Sequence, residues 1–430
     1  MRSKKTCSGA KSIFAIFVTF LLMSAVVPSQ AQAQKFKVLH TFHGWNGAEP
    51  VGGLVRDAAG NIYGTTGVGG SGNCSGGTGC GTAFKLNNSG QQIWLHKFNG
   101  WDGAIPGGSL LRGASGILLG ATGEGGDLSC DPPYGCGVVF KLDETGQKET
   151  VLHKFTGPPD GDSPYPPLSR DQSGNLYGVT VAGGADLLGT VFKIDTAGRE
   201  TTLYSFAGPP GGGGDGAWPG PGVIRDAAGN LYGTTFAGGV YGAGAVYEFS
   251  SGGEETLLYS FSGGSDGAQP SSTLLLDSQG NLYGTTQNGG NVQCGGTGCG
   301  VVFELSPQSG GGWTEIVLYA FCSLTGCVDG LRPRDGPLIM DAAGNLYGTT
   351  IFGGAHRNCN GDGCGVVFKL GSAGKETVLH SFTGGTDGAI PVAGVILDSR
   401  NNLYGTTQEG GDLNCHPKYG GCGVVFKIAP

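Results

Sequence analysis

The sequence predicts an all-β protein, a seven-bladed β-propeller built from four-stranded antiparallel blades, on the evidence of three observations. One segment, typified by DAAGNIYGTT, occurs seven times along the chain, at 57–66, 113–122 (a worn copy), 171–180, 226–235, 277–286, 341–350 and 398–407. The spacing of the copies, between roughly 50 and 65 residues, suits a unit of four strands. The array also begins with the last strand of a unit and ends with the third, which favours a closed ring.

Each unit consists of four predicted strands, A to D. In the clearest unit they lie at 270–277, 281–286, 300–305 and 315–321. These strands are rich in β-branched and aromatic residues and are bounded by Gly, Asp, Asn and Pro, which leaves no room for a helix. The A–B and C–D turns are short, whereas the B–C and D–A loops are longer and vary. Because those two loops emerge on the same side of a meander, one face is uniform and the other carries the individual features.

The ends of the array predict how the ring closes. Residues 36–42 (FKVLHTF) form a predicted D strand, and residues 424–428 form a C strand that no D strand follows. The N-terminal strand can therefore complete the last blade, a phase shift for which an open solenoid has no use. We predict a signal peptide at 1–33 and a single seven-repeat propeller domain at 34–430.

The first 33 residues have the pattern of a secretory signal peptide. A basic segment at 1–11 precedes an apolar run at 13–27 and a small-x-small cleavage site at 31–33. Removing four of the 25 basic residues and none of the 33 acidic ones changes the formal charge from -8 to 21 - 33 = -12. This acidic balance argues against nucleic acid or an anionic membrane as a partner. We expect a monomer that is secreted, periplasmic or held at the cell surface, without membrane insertion or a C-terminal anchor.

Twelve cysteines of the mature chain form six close pairs, which we interpret as local disulfides of an exported protein. The pairs are Cys74/Cys80, Cys130/Cys136, Cys294/Cys299, Cys322/Cys327, Cys359/Cys364 and Cys415/Cys422. Five pairs are assigned to B–C loops, and the pair Cys322/Cys327 is assigned to a D–A loop. A zinc site would need two pairs to converge on one ion, and neighbouring blades are expected to hold their loops apart. We therefore predict no metal at these cysteines.

The repeated pattern D-x-x-G-N-L-Y-G-T-T, followed by G-[TV]-V-F-K-L, [TV]-L-[YH]-x-F and D-G-x-x-P, resembles the GloVer tandem-repeat family of exported bacterial proteins. The resemblance extends over essentially the whole mature chain. It implies secretion or surface display and points to no particular activity. The strand-turn-strand pattern is also similar to that of NHL-type propellers, which implies that strand A is the innermost strand.

Residues that recur in nearly every blade are interpreted as structural. One position of strand B holds a tyrosine that should pack one sheet on the next, at Tyr63, Tyr177, Tyr232, Tyr283, Tyr347 and Tyr404. One position of strand D alternates between histidine and tyrosine, at His40, His96, His153, Tyr204, Tyr259, Tyr319 and His380. Because these histidines belong to outer strands of different blades, we do not expect them to form a metal site.

The candidate ligand-binding residues lie on the variable face. Aspartates of the D-G-x-x-P turns are expected to surround the channel mouth, and those taken as candidates are Asp102, Asp215, Asp266 and Asp387. Ordinary turn chemistry is the main interpretation of these carboxylates, and a calcium or polar-ligand site is the alternative. His43 and Trp45 share one loop, Trp101 lies in the next and Trp218 lies in a third. Exposed tryptophan beside aspartate commonly grips sugar rings, although these tryptophans could equally cap a blade edge.

Catalytic motifs are almost absent from the sequence. Residues 263–267 match G-x-S-x-G, but they lie in a loop between strands and not at a strand-to-helix elbow. We therefore predict a binding module for carbohydrate or another extracellular polymer, without a cofactor and with catalytic residues unknown. The alternatives are a polysaccharide lyase or glycosidase, whose paired carboxylates could come from the mouth loops, and a protein-binding scaffold.

Overall fold

The computed structural model describes Met1 and residues 34–430, apart from 75–76, 114, 144, 147, 209–213, 360 and 416–419 and the side chains of residues 94–95. The predicted signal peptide, except for Met1, lies outside the described residues and stays a prediction. In the described part of the chain, no helix is long and apolar enough to cross a membrane.

Seven antiparallel sheets form the seven blades of a propeller, which confirms the predicted fold class. The first strand among the described residues is β1 (Lys35–Thr41), which belongs to blade 7. Blade 1 contains β2 (Val55–Arg56), β3 (Ile62–Thr66), β4 (Thr82–Leu86) and β5 (Gln92–Lys97). Blade 2 contains β6 (Leu111–Arg112), β7 (Leu118–Thr122), β8 (Val138–Leu142) and β9 (Glu149–Lys154). Blade 3 contains β10 (Gly161–Pro164), β11 (Ser169–Arg170), β12 (Leu176–Gly183), β13 (Thr190–Ile194) and β14 (Glu200–Ser205).

The remaining blades repeat this order. Blade 4 contains β15 (Gly216–Pro219), β16 (Ile224–Arg225), β17 (Leu231–Gly238), β18 (Ala245–Phe249) and β19 (Glu255–Ser260). Blade 5 contains β20 (Ala268–Pro270), β21 (Leu275–Leu276), β22 (Leu282–Asn288), β23 (Val301–Pro307) and β24 (Trp313–Ala320), followed by a 3-10 turn at Thr325–Cys327. Blade 6 contains β25 (Ile339–Met340), β26 (Leu346–Thr350), β27 (Val366–Leu370) and β28 (Glu376–Ser381). Blade 7 contains β29 (Ile396–Leu397), β30 (Leu403–Thr407) and β31 (Val424–Ala429).

The ring closes as predicted. Strand β1 pairs antiparallel with β31, from Lys35 opposite Ala429 to Thr41 opposite Val424. The first strand of the repeat array is thus the outermost strand of the last blade. Backbone hydrogen bonds between β1 and β31 join the two ends of the array.

Strand A is shorter than predicted. In blade 5 only Leu275–Leu276 pairs with strand B as its inner neighbour, and β20 pairs separately with the far end of the same strand. Between them the chain leaves the ladder near the propeller axis, where neighbouring blades supply its partners. The hydroxyl of Thr273, for example, donates to the carbonyl of Pro221 in blade 4 at 2.8 Å. The predicted single strand at 270–277 is therefore wrong, because contacts between blades replace the ladder within the blade.

One aromatic contact repeats at each junction between blades. The ring at the third position of strand C lies edge-on against the phenylalanine that ends the outer strand of the preceding blade, with centroids 5.1 to 5.3 Å apart. The seven pairs are Phe42/Phe84, Phe98/Phe140, Phe155/Phe192, Phe206/Tyr247, Phe261/Phe303, Phe321/Phe368 and Phe382/Phe426. These rings are fully buried or nearly so, and each joins two sheets.

The glycine of Y-G-T-T makes room for that ring. A Cβ atom at this glycine would lie closer than 3.0 Å to the aromatic side chain of strand C in every blade, which real Cβ atoms essentially never do. The glycines are Gly64, Gly120, Gly178, Gly233, Gly284, Gly348 and Gly405. The predicted packing of the preceding tyrosine on the next sheet is also present, since Tyr63 belongs to one buried cluster with Leu110 and Leu118 of blade 2.

The predicted turn chemistry and disulfides are both present. In the A–B turn of blade 1, the Asp57 carboxylate accepts hydrogen bonds from the Asn61 backbone at 2.8 Å and from the Tyr63 hydroxyl at 3.0 Å. This explains why Asp, Asn and Tyr recur together in the repeat. All six predicted cysteine pairs are disulfide-bonded. Each closes a short loop, which the chain-entropy model credits with about 2 kcal/mol of stabilisation.

Both cysteines of every pair lie in the loops to which they were assigned, five pairs between strands B and C and the pair Cys322/Cys327 after a strand D. One member of every pair belongs to the core, with an exposed fraction of at most 2%; these are Cys80, Cys136, Cys299, Cys322, Cys364 and Cys422. Cys80, for example, shares a buried cluster with Phe98 and Ala104, whereas its partner Cys74 is only partly buried. The burial arises because these cysteines lie next to the ends of strands C or D, where the sheets already pack on each other. Each disulfide therefore fastens a loop to the core and offers no accessible binding site.

The expectation that the cysteine-containing loops lie far apart is wrong in blade 5. The sulfur atoms of Cys294, Cys299 and Cys322 lie within 4.8 Å of one another, although they belong to two different loops. They approach because Cys299 and Cys322 share one buried cluster at the junction with blade 6. All three sulfurs are bonded in disulfides, and metal ligation requires a thiolate.

The contact between glycine and phenylalanine can be tested in blade 5. Gly284→Ala places a methyl group 2.5 Å from Phe303 Cζ. We expect the free energy of unfolding to fall by about 1 to 3 kcal/mol, because overpacking forces a fully buried ring out of position. Denaturant unfolding measures this change. Gly310→Ala is the matched control, since a Cβ there meets nothing within 4 Å, and an equal loss in both variants would contradict the packing argument.

Candidate functional site

Short segments that join the D–A loops to strand A meet at the propeller axis. They begin at the proline of D-G-x-x-P, and residues from all seven blades surround a residual cavity of about 20 Å³. The axis is therefore nearly filled at the place where the aspartates were expected to surround a channel mouth. A ligand on the loop-bearing face would rest on this closed centre.

The residue before that proline has a left-handed backbone in every blade. Its φ lies between +53° and +58° at Glu49, Ile105, Ser163, Trp218, Gln269, Arg332 and Ile390. Side chains other than glycine seldom adopt this conformation. Each N–H donates to a carbonyl of the preceding blade's B–C loop at 2.7 to 3.2 Å, which holds the strained residue in place. One backbone shape thus presents seven positions around the centre of the variable face, and they hold six different residue types.

The buried cysteines contribute to this arrangement through their backbones. At five junctions the accepting carbonyl belongs to the cysteine that precedes strand C, namely Cys80, Cys136, Cys299, Cys364 and Cys422. Leu188 and Ala243 accept the same hydrogen bond at the two junctions whose B–C loops carry no disulfide. The disulfides of the B–C loops therefore support the shape of the variable face and do not form a site themselves.

Blade 6 breaks the symmetry at the axis. Four residues separate Pro333 from Leu338, whereas three occupy the same interval in the other blades, as between Pro270 and Leu274. The longer segment brings Arg334 and Asp335 to the centre, and Asp335 has a φ of +38°. The sequence analysis overlooked this difference, although comparing the Pro-to-Leu spacing of the seven units would have found it.

The carboxylate of Asp335 is held by two neighbouring side chains. It hydrogen-bonds the Tyr165 hydroxyl of blade 3, and the Arg334 Nε lies 3.4 Å from its Oδ2. Burial raises the pKa of the Asp335 carboxyl, although the Arg334 guanidinium opposes this rise. Burial, together with the Asp335 carboxylate, also raises the pKa of Tyr165. The arrangement combines a hydrogen-bonding acid with a guanidinium at the centre of the face.

A cavity of about 370 Å³ opens beside this pair, between blades 3 to 6. Trp218 and Phe236 form apolar parts of its wall, and Trp218 is 47% exposed. The Ser271 hydroxyl also lines the cavity, and it is buried without a hydrogen-bond partner among the residues that the structure describes. A buried polar group without a partner is unfavourable unless a water molecule or a ligand satisfies it. The cavity therefore offers an aromatic face, a charged pair and a hydroxyl to an incoming group.

The lining also limits the chemistry. Asp335 is the only carboxylate among the described residues that line this cavity, and no histidine lines it. Glycoside hydrolysis ordinarily uses two carboxyl groups, placed on either side of the bond that breaks. The cavity is better suited to holding a polar ligand than to cleaving one by that mechanism.

Of the predicted candidates, only Trp218 lies in this cavity. Trp45 and Trp101 occupy equivalent tight turns in neighbouring D–A loops and are 65% and 66% exposed. The His43 Nδ1 lies 2.7 Å from the Asp412 carboxylate, which connects a D–A loop to the B–C loop of blade 7. The structure therefore places the three tryptophans on the same face without bringing them into one cavity.

The predicted aspartates lie over the outermost strands and not at the axis, where they were expected. Asp102 and Asp387 hydrogen-bond His96 and His380, at 2.9 and 3.1 Å. Asp215 and Asp266 accept hydrogen bonds from tyrosine hydroxyls of strand D, namely those of Tyr204 and Tyr259. Each carboxylate also accepts a backbone N–H of its own loop. These contacts are the turn chemistry that we favoured. A role for these aspartates in ligand binding stays a prediction.

A glutamate from the next blade lies beside several aspartates of the D–A loops, namely Asp215, Asp266 and Asp329. Burial, followed by the charge of the neighbouring aspartate, raises the pKa of three such glutamates to about 7; they are Glu255, Glu315 and Glu376. At the junction of blades 7 and 1, two amides occupy the same places. There the Asn46 Nδ2 donates to the Gln92 Oε1 at 3.0 Å. The amide pair avoids the charge repulsion that the acidic pairs contain, and the raised pKa of each glutamate favours its uncharged form for the same reason.

Comparison with known proteins agrees with this architecture. A sequence model of the Gloeobacter/Verrucomicrobia repeat matches residues 128–327 and 295–430. A search of the curated proteins finds no match. Virginiamycin B lyase from Staphylococcus aureus is similar in structure, with a TM-score of 0.55 and 12% identity over 92% of this chain and 100% of that one.

Two further solved structures have lower scores. A gluconolactonase from Xanthomonas campestris has a TM-score of 0.40 and 16% identity over 68% of this chain and 78% of that one. A chain of the nidogen/laminin complex has a TM-score of 0.41 and 14% identity over 71% of this chain and 91% of that one. At such identities the likeness concerns the fold alone.

The acidic pairs between blades predict a dependence of stability on pH. The folded pKa of about 7 lies above the usual 4.5 for Glu255, Glu315 and Glu376. Their contribution is therefore complete below pH 4.5 and is lost as the pH rises through about 7. We expect the free energy of unfolding to fall between mildly acidic and mildly alkaline pH, as measured by urea titration. The triple Glu→Gln variant should lose most of this slope, and a slope that it keeps would contradict its assignment to these three glutamates. Glu254→Gln, at the exposed neighbour of Glu255, should leave the slope unchanged.

Proposed function

We propose, from the premise that this chain belongs to the Gloeobacter/Verrucomicrobia repeat family, that it is an exported binding module for carbohydrate or another extracellular polymer. The ligand is held on the loop-bearing face, at the cavity beside Trp218. Export is supported by the signal-peptide pattern of the first 33 residues and by six disulfides, which persist in oxidising compartments.

The observation that carries this proposal is the combination of Trp218 with Arg334 and Asp335 around one cavity. A sugar ring has an apolar face and a rim of hydroxyl groups, so a half-exposed indole can stack on the face. The charged pair and the free Ser271 hydroxyl can then hydrogen-bond the rim. Few convergent polar groups on an otherwise apolar wall are typical of sites for organic ligands.

The alternatives are an enzyme that cleaves a polysaccharide and a scaffold that binds proteins. The single carboxylate of the cavity favours binding over a two-carboxylate glycosidase. A lyase needs only one base, and Asp335 is the group that could serve. The experiment below separates these functions, because only an enzyme releases products.

The proposal predicts binding that depends on Trp218. The purified protein is mixed with soluble and insoluble polysaccharides, and both retention and released oligosaccharides are recorded. We expect retention without products, and we expect Trp218→Ala to weaken it at least about tenfold, because central aromatic side chains dominate such contacts. Asp335→Asn should weaken retention through the lost charge while keeping the shape of the side chain.

Trp101→Ala is the matched control, since Trp101 is exposed on the same face but lies outside the cavity. It should leave retention unchanged. Released oligosaccharides that disappear in Asp335→Asn would establish the enzyme instead. If no polysaccharide is retained or cleaved, the carbohydrate proposal fails and the protein-binding scaffold remains.

A further inference from the structure

A second cavity lies on the opposite face, where the short A–B turns emerge. It has a volume of about 630 Å³ and lies between blades 7 and 1. Its walls come from the A–B turns of both blades, from β31 and from β1. We call it the closure groove, because it lies where the first strand of the array completes the ring.

Four cationic side chains line the closure groove, namely Lys37, Arg56, Arg400 and Lys427. Lys37 and Lys427 stand directly opposite each other on the paired strands β1 and β31. Arg56 and Lys427 both lie over the ring of Tyr404, with the charged group 5.4 Å from its centroid in each case. Like charges at directly opposed positions destabilise the pairing of two strands. The opposed lysines Lys37 and Lys427 therefore need an explanation.

The groove does not neutralise these charges itself. Asp398 is the only carboxylate among the described residues that line it. Burial by itself raises the pKa of Asp398, but hydrogen bonds from Asn402, Arg400 N–H and Tyr404 outweigh it and lower the pKa to about 2. The carboxylate is thus ionised and already occupied, which leaves a net charge of three positive units. In the described part of the chain, none of the four cations forms an ion pair with a carboxylate.

The same groove between blades 5 and 6 shows that the fold does not require these cations. There Glu304 takes the place of Lys427, Gln279 that of Arg400, and Met340 that of Arg56. The strand partner of Glu304 is Ile316, at the position of Lys37. In the other five blades the C-strand residue at this position faces only isoleucine or threonine. The paired lysines are therefore particular to the closing blade.

We propose that the closure groove binds an anionic oligosaccharide through its carboxylate or sulfate groups. The inference goes beyond the proposed function, because it concerns the other face and a different chemistry. A volume of about 630 Å³ exceeds what one inorganic ion fills and is within the range of organic ligand sites. Asn88 and Ser399 add neutral hydrogen-bonding groups for sugar hydroxyls. The acidic chain as a whole, with a formal charge of -8, disfavours a long polyanion such as a nucleic acid, so a short segment is the fitting ligand.

Calorimetric titration with three short oligosaccharides tests this proposal. The probes are oligogalacturonate, sulfated dextran oligosaccharide and neutral dextran oligosaccharide. We expect binding of at least one charged probe and none of the neutral one, and we expect added salt to weaken it because salt screens exposed charges. The preference between the first two probes distinguishes carboxylate from sulfate recognition.

Two variants locate the site. Lys37→Ile combined with Lys427→Glu installs the pair that blade 5 already accommodates, and it should weaken binding at least about tenfold, because hydrogen bonds to charged groups are among the stronger ones. Arg400→Gln, at an exposed turn, should weaken it less. Lys369→Glu makes the same charge change at the corresponding strand position of blade 6 and should have no effect.

The outcomes are distinct from those of the proposed function. Trp218→Ala should keep full affinity for the charged probe, since Trp218 lies on the other face. Binding of the neutral probe with equal affinity, absence of binding by both charged probes, or unchanged affinity in the Lys37→Ile and Lys427→Glu variant would each overturn the proposal. Tight binding of duplex DNA that the same variant abolishes would overturn the saccharide assignment in favour of a nucleic acid.

Discussion

The structure depends on an aromatic ring that lies over a glycine and against a phenylalanine of the preceding blade. Phe84 fills the space above Gly64 within its own sheet and meets Phe42 of blade 7 at 5.2 Å. The contact recurs at every junction, so each blade buries its neighbour's last aromatic residue. Ring closure follows from this requirement, because a blade without a neighbour would expose such a ring. The strand β1 therefore completes blade 7 and supplies the partner that blade 1 needs.

The parts of the fold that rest on contacts close in sequence were predictable. The A–B turn is specified by Asp57, Asn61 and Tyr63, which lie within seven residues and bond each other, and the cysteines pair across loops of similar length. Strand A was overestimated because its hydrogen-bond partners belong to other blades, as with Thr273 and Pro221.

The burial of the cysteines and the left-handed backbone of the residues that bond to them could not be predicted from sequence, because both depend on contacts between blades. Pairing could be inferred from the short spacing of Cys130 and Cys136, but the burial of Cys136 depends on how two sheets pack. The carbonyl of Cys136 accepts the N–H of Ser163 in the next blade, which holds that residue at a positive φ. Nothing within a single repeat could indicate such a contact, because its two partners belong to successive units.

The candidate site shows the same division. Trp218 could be selected from sequence because it is one of the few tryptophans of the segments before strand A, although the structure places it in the short strand β15. The contact of Tyr165 with Arg334 and Asp335 joins blade 3 to blade 6 at the axis. No local sequence pattern could predict it. The aspartates of the D-G-x-x-P turns were misplaced for a related reason. Their sequence positions precede the inner strand, but their carboxylates reach back to the outer strand, where Tyr204 and His380 hold Asp215 and Asp387.

Repetition separates the residues that build this protein from those that distinguish one blade from another. At positions where backbone geometry and space are both constrained, such as the glycine under the aromatic ring, all seven blades agree. Where the backbone alone is constrained, as at the left-handed residue before proline, the side chains are free to differ. The closure groove and the corresponding groove between blades 5 and 6 extend this argument, because Lys427 and Glu304 occupy one backbone position with opposite charge. Lysine holds this position in four other blades too, so the feature that distinguishes the closure groove is the second lysine, Lys37, directly opposite Lys427. The fold does not need this pair of like charges, and a bound anion would explain it.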